Sequence, residues 1–552
     1  MQTRSELFRQ IVHNDAGIPI YFKKFWAKMT EKLQAYARRC LNIRNGERKM
    51  KRIGKNAEKL VPWIVLCVAL DIIALALIPA NLFLLSLPEW ITAVFSILIG
   101  SAVGILLSRP SPRKAGKITV CVISVFSVLT VLFGAYCNPY WNSLMFRVNE
   151  DFYSRSYDET VSGVMAKEDL DFAVKYLQKC HPALINGLPD ELRLKYEQAA
   201  SELSEMDEIT VNELSGKIQR LFAELSDSHT FAADNCSRHY LKDIYSHNRA
   251  GETLTAVNGK PIESLFKEKS GLYSFESESY GMVQLKDDLG TLEGLNYLGI
   301  SAENGVVFTY LTKEGEEIYI TYTEDDFLPY DMYLEYNELS DTDEAKDDFV
   351  YYSVDENAGL ATLTLNECNY NEKYISCLKN MFGEIKSKGI KNLCVDLREN
   401  GGGNSLVANE FLKYLDIPSY KDMGLVWRLG FLNISAGGGV TENERYEELL
   451  YDGNVYLLTS YHTFSSAMDF AQYISDNDLG TLIGEPCGNS PNSFGEISVF
   501  KCPNSEITFQ VSTKSWKRID MENTDLLLQP DILCDANEAE DKLYELIKKI
   551  SE

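Results

Sequence analysis

Between residues 350 and 535, short apolar runs alternate with segments of helical periodicity. GLATLTLN, KNLCVDLR and NVYLLTS are typical of buried strands, and amphipathic segments such as KYISCLKNMFGEIKSKG lie between them. This alternation predicts an α/β sheet core. Ligands of open α/β sheets bind beyond the carboxyl ends of the strands, so the loops that follow these runs are the candidate positions for a functional site.

A glycine triplet, Gly401, Gly402 and Gly403, follows the apolar run KNLCVDLR. Glycines tolerate the backbone angles of a tight turn that presents amides, and they let the backbone approach a substrate carbonyl closely. A phosphate-binding loop is not indicated, because the Lys-Ser/Thr ending of a P-loop is absent. A flexible turn is the alternative interpretation.

Two serines, Ser465 and Ser466, lie between the predicted strand NVYLLTS and a helix marked by the spacing of Ala467, Phe470 and Ile474. The start of a helix offers unpaired N–H groups and partial positive charge, which stabilise a developing oxyanion. The position therefore suits a nucleophilic hydroxyl. Simple capping of the helix by both serines is the alternative.

A nucleophilic serine needs a base, and the chain has only six histidines. His229 lies in the polar turn SDSHT after the helical segment ELSGKIQRLFAEL, directly beside Ser228. A neutral imidazole accepts the proton of a hydroxyl and returns it to a leaving amine. His181 precedes Pro182 at a helix end, and His462 is close enough to Ser465 to shape its turn, so His229 is the favoured base.

These segments together resemble the C-terminal processing peptidases and tricorn-core serine peptidases over most of residues 165–535. The resemblance rests on several motifs in the same order: DLDFAVKYLQKCHPALING, LSDSHT, AVNGKPI, VDLRENGGGN, TFSSAMDFA, GEPCGNS and LLLQPDI. It implies that Ser465 is the nucleophile and that the N–H groups of Gly402 and Ser466 bind the oxyanion.

The resemblance also separates two branches of that family. The processing branch uses a Ser-Lys pair, but the position expected for its lysine is Ser490 here. The tricorn branch has a Ser-His dipeptide, which Ser228 and His229 match, together with an acid. That acid is expected in RIDMENTDLLLQPDI, where Glu522 is favoured to orient Ser228 and Asp525 is the alternative. Nothing in the spacing selects Lys514 or Lys517.

Three apolar stretches near 61–79, 89–107 and 118–137 have the length of transmembrane helices. Asp71 lies inside the first stretch and is expected to face a partner helix or water. The segment before them is basic, with fifteen Lys or Arg against five Asp or Glu in residues 1–59, and the connection SRPSPRKAGK is basic too. Positive loops stay in the cytoplasm, so residues 138–552 are expected outside it.

The expected organisation has five parts. They are a basic cytoplasmic segment (1–59), three transmembrane helices (60–137), a linker and helical subdomain with the catalytic histidine (138–238), a strand-rich, degenerate PDZ-like region (239–345), and an α/β (α+β) peptidase core of the processing-peptidase or crotonase-like type with a closing helix (346–552). Eight of the twelve cysteines follow the last span, which permits disulfides but does not require them. No metal-type Cys-x-x-C pair occurs, and no cofactor is expected.

The sequence therefore predicts a multi-pass, membrane-anchored serine peptidase that cleaves extracytoplasmic polypeptides through an acyl-enzyme on Ser465. The whole chain has a net charge of −26, and residues 138–552 alone carry −38, which argues against nucleic acid as a partner. Polypeptide substrate and membrane lipids are the expected partners. A catalytically inactive peptide- or ligand-binding sensor on the same fold is the alternative.

Overall fold

The computed structural model describes residues 63–73, 98–105, 118, 121–129, 143, 153–233, 235–243, 248–249, 252–312, 314–337, 349–429 and 432–551. The predicted basic segment 1–59 and parts of all three predicted spans lie outside these residues. The described residues from 153 to 428 and from 433 to 551 belong to one compact unit, and the described residues from 63 to 143, with residues 429 and 432, belong to another.

The described parts of the three apolar stretches are helical at 63–73, 98–105 and 121–129. Cys67, Ile99, Ala102 and Val103 form a small apolar cluster among them. The Ser127 hydroxyl donates a hydrogen bond of 2.7 Å to buried Asp71, so this acid faces a partner helix, as its position in an apolar stretch predicts. None of the helices in the described ranges is both long enough and apolar enough to cross a membrane.

A helical subdomain opens the larger unit. Its elements are β1 (Thr160–Ser162), α1 (Gly163–Cys180), α2 (Asp190–Glu205), β2 (Glu208–Thr210) and α3 (Val211–Ala223). Thr210 and Glu213 form a reciprocal capping box at the start of α3. The three helices lie where the apolar periodicity of residues 165–226 predicts them.

The next region has its own apolar core and a five-stranded antiparallel sheet. Its elements are β3 (Phe231–Ala233), β4 (His239–Leu241), β5 (Asn248–Arg249), β6 (Glu252–Val257), β7 (Lys260–Pro261), α4 (Ile262–Lys269), α5 (Glu278–Leu289), α6 (Leu292–Tyr297), β8 (Val306–Leu311), β9 (Glu317–Tyr322), β10 (Phe327–Pro329) and α7 (Tyr330–Tyr336). The sheet order is β5-β6-β8-β9, with β7 on β6. The predicted hairpin around the Glu-Gly turn is present as β8 and β9, whereas the PDZ-like assignment stays a prediction.

The α/β core occupies the last third of the chain. Its elements are β11 (Val350–Asp355), β12 (Leu360–Leu365), α8 (Glu372–Lys388), β13 (Asn392–Asp396), α9 (Leu406–Leu412), β14 (Ser419–Lys421), β15 (Gly424–Leu429), β16 (Leu432–Gly437), β17 (Val440–Glu442), β18 (Asn454–Thr459), α10 (Ser466–Ser475), β19 (Thr481–Gly484), β20 (Phe494–Lys501), β21 (Thr508–Lys517), β22 (Ile532–Leu533) and α11 (Ala539–Ser551).

Six of these strands form a sheet in the order β11-β12-β13-β18-β19-β22. All neighbours are parallel except β11 and β12. Strands β13 and β18 are adjacent, with Asp396 opposite Leu458, so the loops that leave their carboxyl ends emerge side by side. These are the glycine loop and the serine loop that the sequence singles out.

A second sheet brings the histidine segment to the core. Its order is β16-β15-β21-β20, and β3 pairs with β21. Because β3 begins two residues after His229, this pairing fixes the histidine turn against the peptidase core. Two further contacts hold the turn: Gln510 Nε2 donates to the His229 carbonyl at 2.8 Å, and Ser512 N–H donates to Thr230 Oγ1 at 3.0 Å.

All eight cysteines of residues 138–552 fall within the described ranges, and none forms a disulfide there. Five of them, including Cys394 on β13, are fully or almost fully buried. Burial raises the pKa of the Cys394 thiol, which keeps it protonated and unreactive. The cysteines therefore behave as small core residues.

Candidate active site

Ser465 occupies a strained turn between β18 and α10. Its backbone has φ = +55° and ψ = −124°, a conformation that side-chain-bearing residues rarely adopt. The Ser465 N–H donates to buried Asn489 Oδ1 at 2.7 Å, and the Ser465 hydroxyl makes no capping hydrogen bond. The alternative that Ser465 serves only to cap the helix is therefore not supported, since its hydroxyl accepts no hydrogen bond from the first N–H groups of α10.

The glycine loop packs directly against this turn. Gly402 has φ = +102°, and a Cβ at this position would lie 2.7 Å from Ser465 Cβ and 3.0 Å from Ser466 N. Only glycine fits such a close approach. The Ser466 hydroxyl donates to the Gly403 carbonyl at 2.9 Å, which ties the two loops together.

The two predicted oxyanion donors, the N–H groups of Ser466 and Gly402, differ in their hydrogen bonding. Ser466 is the first residue of the ten-residue helix α10, where backbone N–H groups lack partners within the helix. The Gly402 N–H, in contrast, donates to Asn400 Oδ1 at 2.9 Å. The Gly402 N–H must therefore leave Asn400, or share its hydrogen, to bind an oxyanion.

His229 lies beside the nucleophile turn. Its ring stacks on Phe464, the residue before Ser465, with ring centroids 4.7 Å apart and an interplanar angle of 30°. Phe464 in turn stacks on Tyr280 at 4.6 Å. Both ring nitrogens of His229 are buried and have no hydrogen-bond partner among the described residues, so the imidazole is near Ser465 without being bonded to it.

Burial lowers the pKa of His229, and the nearby charge of Asp227 opposes this only in part. The ring is therefore neutral at physiological pH, which is the state that a general base requires.

Asp227, to which the sequence alone assigns no role, is the polar centre of this region. It is fully buried and accepts hydrogen bonds from His181 Nε2 (3.0 Å), Thr230 Oγ1 (2.5 Å) and the His229 N–H (2.9 Å). Its Oδ1 also lies 3.8 Å from His229 Nδ1. Burial opposes the charge, but the hydrogen bond donated by His181 holds the pKa of Asp227 below its usual range.

The tautomer of His181 follows from its other contact. Its Nδ1 accepts the Ala183 N–H at 3.2 Å, so Nε2 carries the proton that is donated to Asp227. His181 therefore supports an ionised Asp227, and Asp227 faces the base. The 3.8 Å between Asp227 Oδ1 and His229 Nδ1 is too long for a hydrogen bond, so the acid lies close to the base without forming the base–acid hydrogen bond of a serine-hydrolase triad.

Glu276, on the segment before α5, also reaches this cluster. Both of its carboxylate oxygens are buried, with no hydrogen-bond partner among the described residues. Burial and the charge of Asp227 raise the pKa of Glu276 to about 8, while the adjacent Ser228 hydroxyl opposes the shift. Ser228 is 5% exposed, and its hydroxyl lies beside Glu276 without reaching full hydrogen-bond geometry.

The expectation for Glu522 needs correction. Glu522 and Asp525 are both exposed. Their backbone N–H groups donate hydrogen bonds to the side chains of Asp520 and Asn523, respectively. Neither makes a hydrogen bond to Ser228, because the loop that carries them lies at the surface. The carboxylate beside Ser228 is that of Glu276.

The remaining polar side chains considered from the sequence have partners elsewhere or lie at the surface. Ser490 Oγ accepts the Asn492 N–H, and Lys514 forms an ion pair with Glu496 at 2.9 Å. Lys517 is exposed, and the His462 N–H donates to Ser460 Oγ within the serine loop. None of these side chains replaces His229 as the base beside Ser465.

The lowered pKa of His229 predicts the pH profile of the reaction. A base works only while it is neutral, so a lower pKa extends activity to more acidic pH. We expect the acid limb of kcat/KM, which reports the free enzyme, to have its midpoint below the ordinary histidine value of ~6.5. Hydrolysis of a fluorogenic peptide across the acidic range measures this, and a midpoint above that value contradicts a buried base.

Comparison with known proteins relates part of the chain to a peptidase family. Residues 359–534 match the model of peptidase family S41. The fold is similar to mature CPAF complexed with lactacystin (13% identity, TM-score 0.51, covering 70% of this chain and 97% of that one) and to mature CPAF (14%, 0.50, 70% and 96%). A photosystem II D1 C-terminal processing protease is a more distant match (12%, 0.40, 69% and 96%). This match to peptidase family S41 identifies the protein as a serine peptidase.

Proposed function

We propose that the protein is a Ser-His peptidase, anchored in a membrane, that cleaves extracytoplasmic polypeptides through an acyl-enzyme on Ser465. The observation that carries this proposal is the meeting of the Ser465 turn, the Gly402 loop and the His229 ring at one edge of the sheet. Asp227 supplies the orienting carboxylate beside that ring.

The reaction follows from these groups. His229 removes the proton from Ser465 Oγ, and the oxygen attacks the scissile carbonyl carbon. The N–H groups of Ser466 and, once released from Asn400, Gly402 stabilise the oxyanion. The C–N bond then breaks, and His229 returns the proton to the leaving amine. Water then attacks the ester carbonyl while His229 takes its proton, and His229 returns this proton to Ser465 Oγ as the acyl C–O bond breaks and the acid product leaves.

Substrate binding would complete the site. The His229 ring nitrogens have no hydrogen-bond partner among the described residues and the Gly402 N–H is paired with Asn400, so both must adjust when a carbonyl enters. Such catalytic hydrogen bonds often tighten only in the substrate complex. Ser228, beside Glu276, would steady the turn that carries His229.

The membrane anchor is supported by the helical segments of the second unit. Their surfaces expose many apolar side chains, which cost free energy in water and suit lipid. These side chains are Val65, Leu66, Val68, Ile73, Leu98, Ile105, Val122, Val125, Phe126, Val128 and Leu129. The only acid in the described parts of these segments, Asp71, is instead buried against Ser127.

Fluorophosphonate labelling of intact cells tests the reaction and the topology together. A membrane-permeant probe should modify Ser465, as located by mass spectrometry of the labelled peptide. A membrane-impermeant probe should modify it equally if the domain is extracytoplasmic. Labelling by the permeant probe alone contradicts the topology, and labelling by neither contradicts the reactive serine and favours a binding protein.

A further inference from the structure

Three side chains around the proposed base have the composition of a metal site. Asp227, His229 and Glu276 each offer one ligand atom, and these three atoms lie within 4.8 Å of one another. They come from two separate segments, the turn after α3 and the segment before α5. Two oxygens and one nitrogen around an open position is a ligand set that Zn²⁺ accepts.

The ligand atoms are available for coordination. The ring nitrogens of His229 and the carboxylate oxygens of Glu276 are buried atoms without a hydrogen-bond partner within the described ranges, although both side chains are only partly buried. Asp227 Oδ1 accepts one hydrogen bond, from the His229 N–H, and keeps a second lone pair. Buried polar atoms without partners are rare in folded proteins, and a bound ion is one explanation for them.

Electrostatics favour a cation at this position. Asp227 and Glu276 place two acidic groups within 4.8 Å of each other in one site, where two negative charges would repel. A divalent ion between them would remove this repulsion and satisfy both carboxylates.

We propose that Asp227, His229 and Glu276 form an inhibitory Zn²⁺ site. Tetrahedral Zn²⁺ with bonds of about 2.0–2.2 Å holds its ligand atoms roughly 3.4 Å apart, so the site must contract slightly. Rotation of Glu276 achieves this without breaking a hydrogen bond, because its carboxylate makes none with the described residues.

Zinc binding and catalysis exclude each other. A neutral imidazole has a single nitrogen lone pair, and the metal occupies it whichever ring nitrogen is bound. The metal-bound ring has no means of accepting the Ser465 proton. This consequence rests on the proposed function, whereas zinc binding itself does not.

Zinc titration of the full chain carrying Ser465→Ala tests the site without using activity. A chromogenic zinc indicator serves as the competitor. Two variants are compared on the Ser465→Ala background, one with Glu276→Gln and the other with Glu278→Gln. Glu278 is exposed and only two residues away. We expect Glu276→Gln to weaken the binding of one Zn²⁺ at least tenfold and Glu278→Gln to leave it unchanged. Equal affinities in the two variants overturn the proposal.

Two controls complete the experiment. The Co²⁺ form should show d–d absorption without a thiolate charge-transfer band, and a thiolate band would assign the ion to cysteines and overturn the site. If Glu276→Gln does not fold, His229→Gln takes its place with the same expected loss of affinity.

A kinetic measurement separates the two proposals. Zinc should inhibit peptide hydrolysis by the unmodified protein, and EDTA should restore it. Zinc bound at this site without inhibition contradicts His229 as the base and leaves the metal site standing. Hydrolysis that depends on Ser465 and is insensitive to zinc because no Zn²⁺ binds overturns only the metal site.

Discussion

Replacing Ser465 with Ala lowers kcat for peptide hydrolysis by about 10⁴–10⁶-fold while the protein stays folded. The hydroxyl is the only group beside the glycine loop that this substitution removes, and loss of the nucleophile of a serine peptidase typically has an effect of this size. Because Ser465 makes no capping hydrogen bond, its oxygen contributes little to the stability of α10. Steady-state kinetics and a thermal melt measure the two effects.

The neighbouring serine provides the comparison. Ser466→Ala keeps the backbone N–H that is proposed to bind the oxyanion and removes only the hydrogen bond to the Gly403 carbonyl. We expect it to retain activity, with a loss of about tenfold or less, since a net hydrogen bond contributes about 0.5–1.5 kcal/mol. Equal losses of activity in Ser465→Ala and Ser466→Ala would show that both substitutions disturb the structure of the turn, and would contradict a specific role for the Ser465 hydroxyl.

The strands and the helix that carry this site could be predicted because each is marked by a pattern in its own local sequence. Short apolar runs typical of buried strands predicted β13 and β18. The helical spacing of apolar residues after Ser465 predicted α10. The parallel pairing of β13 and β18 then brings the Gly402 loop to Ser465. The local sequence is enough to identify such junctions.

The acids of the site could not be predicted in the same way. The chain has 80 Asp and Glu residues, so a carboxylate carries little information until tertiary contacts bury it. Glu276 lies in the polar segment SFESES, which has no periodicity to mark it, and its position depends on packing between distant segments. Asp227 did lie inside the SDSH turn, but its role became apparent only from the buried contact with His181, which is 46 residues away.

Replacing Asp227 with Asn should damage both catalysis and stability. The Asn side chain has the same size as Asp, but an NH₂ group replaces one of the two acceptor oxygens and faces groups that are themselves hydrogen-bond donors. The loss of an orienting carboxylate beside a catalytic histidine costs about 10⁴-fold in kcat when the wrong tautomer results. Three donors, His181 Nε2, Thr230 Oγ1 and the His229 N–H, then share one remaining oxygen. Breaking such a buried charged network costs about 3–5 kcal/mol in the free energy of unfolding.

The pH dependence of that stability loss has a definite sign. The pKa of Asp227 is lower in the folded protein than its unfolded value of ~3.9, so its contribution is fully present above that value and disappears as pH falls through the folded pKa. The difference in unfolding free energy between the unmodified protein and Asp227→Asn should therefore narrow below about pH 4. Denaturant unfolding at several pH values measures it.

Asp169 provides a matched control for this variant. It is also a fully buried acid, and its oxygens accept hydrogen bonds from the backbone and side chains of Asn504 and Ser505. Asp169→Asn should lower the free energy of unfolding by a similar amount but leave kcat of the folded protein nearly unchanged. If both variants lose activity equally, Asp227 acts only through folding. If Asp227→Asn alone loses activity, its carboxylate orients His229 directly.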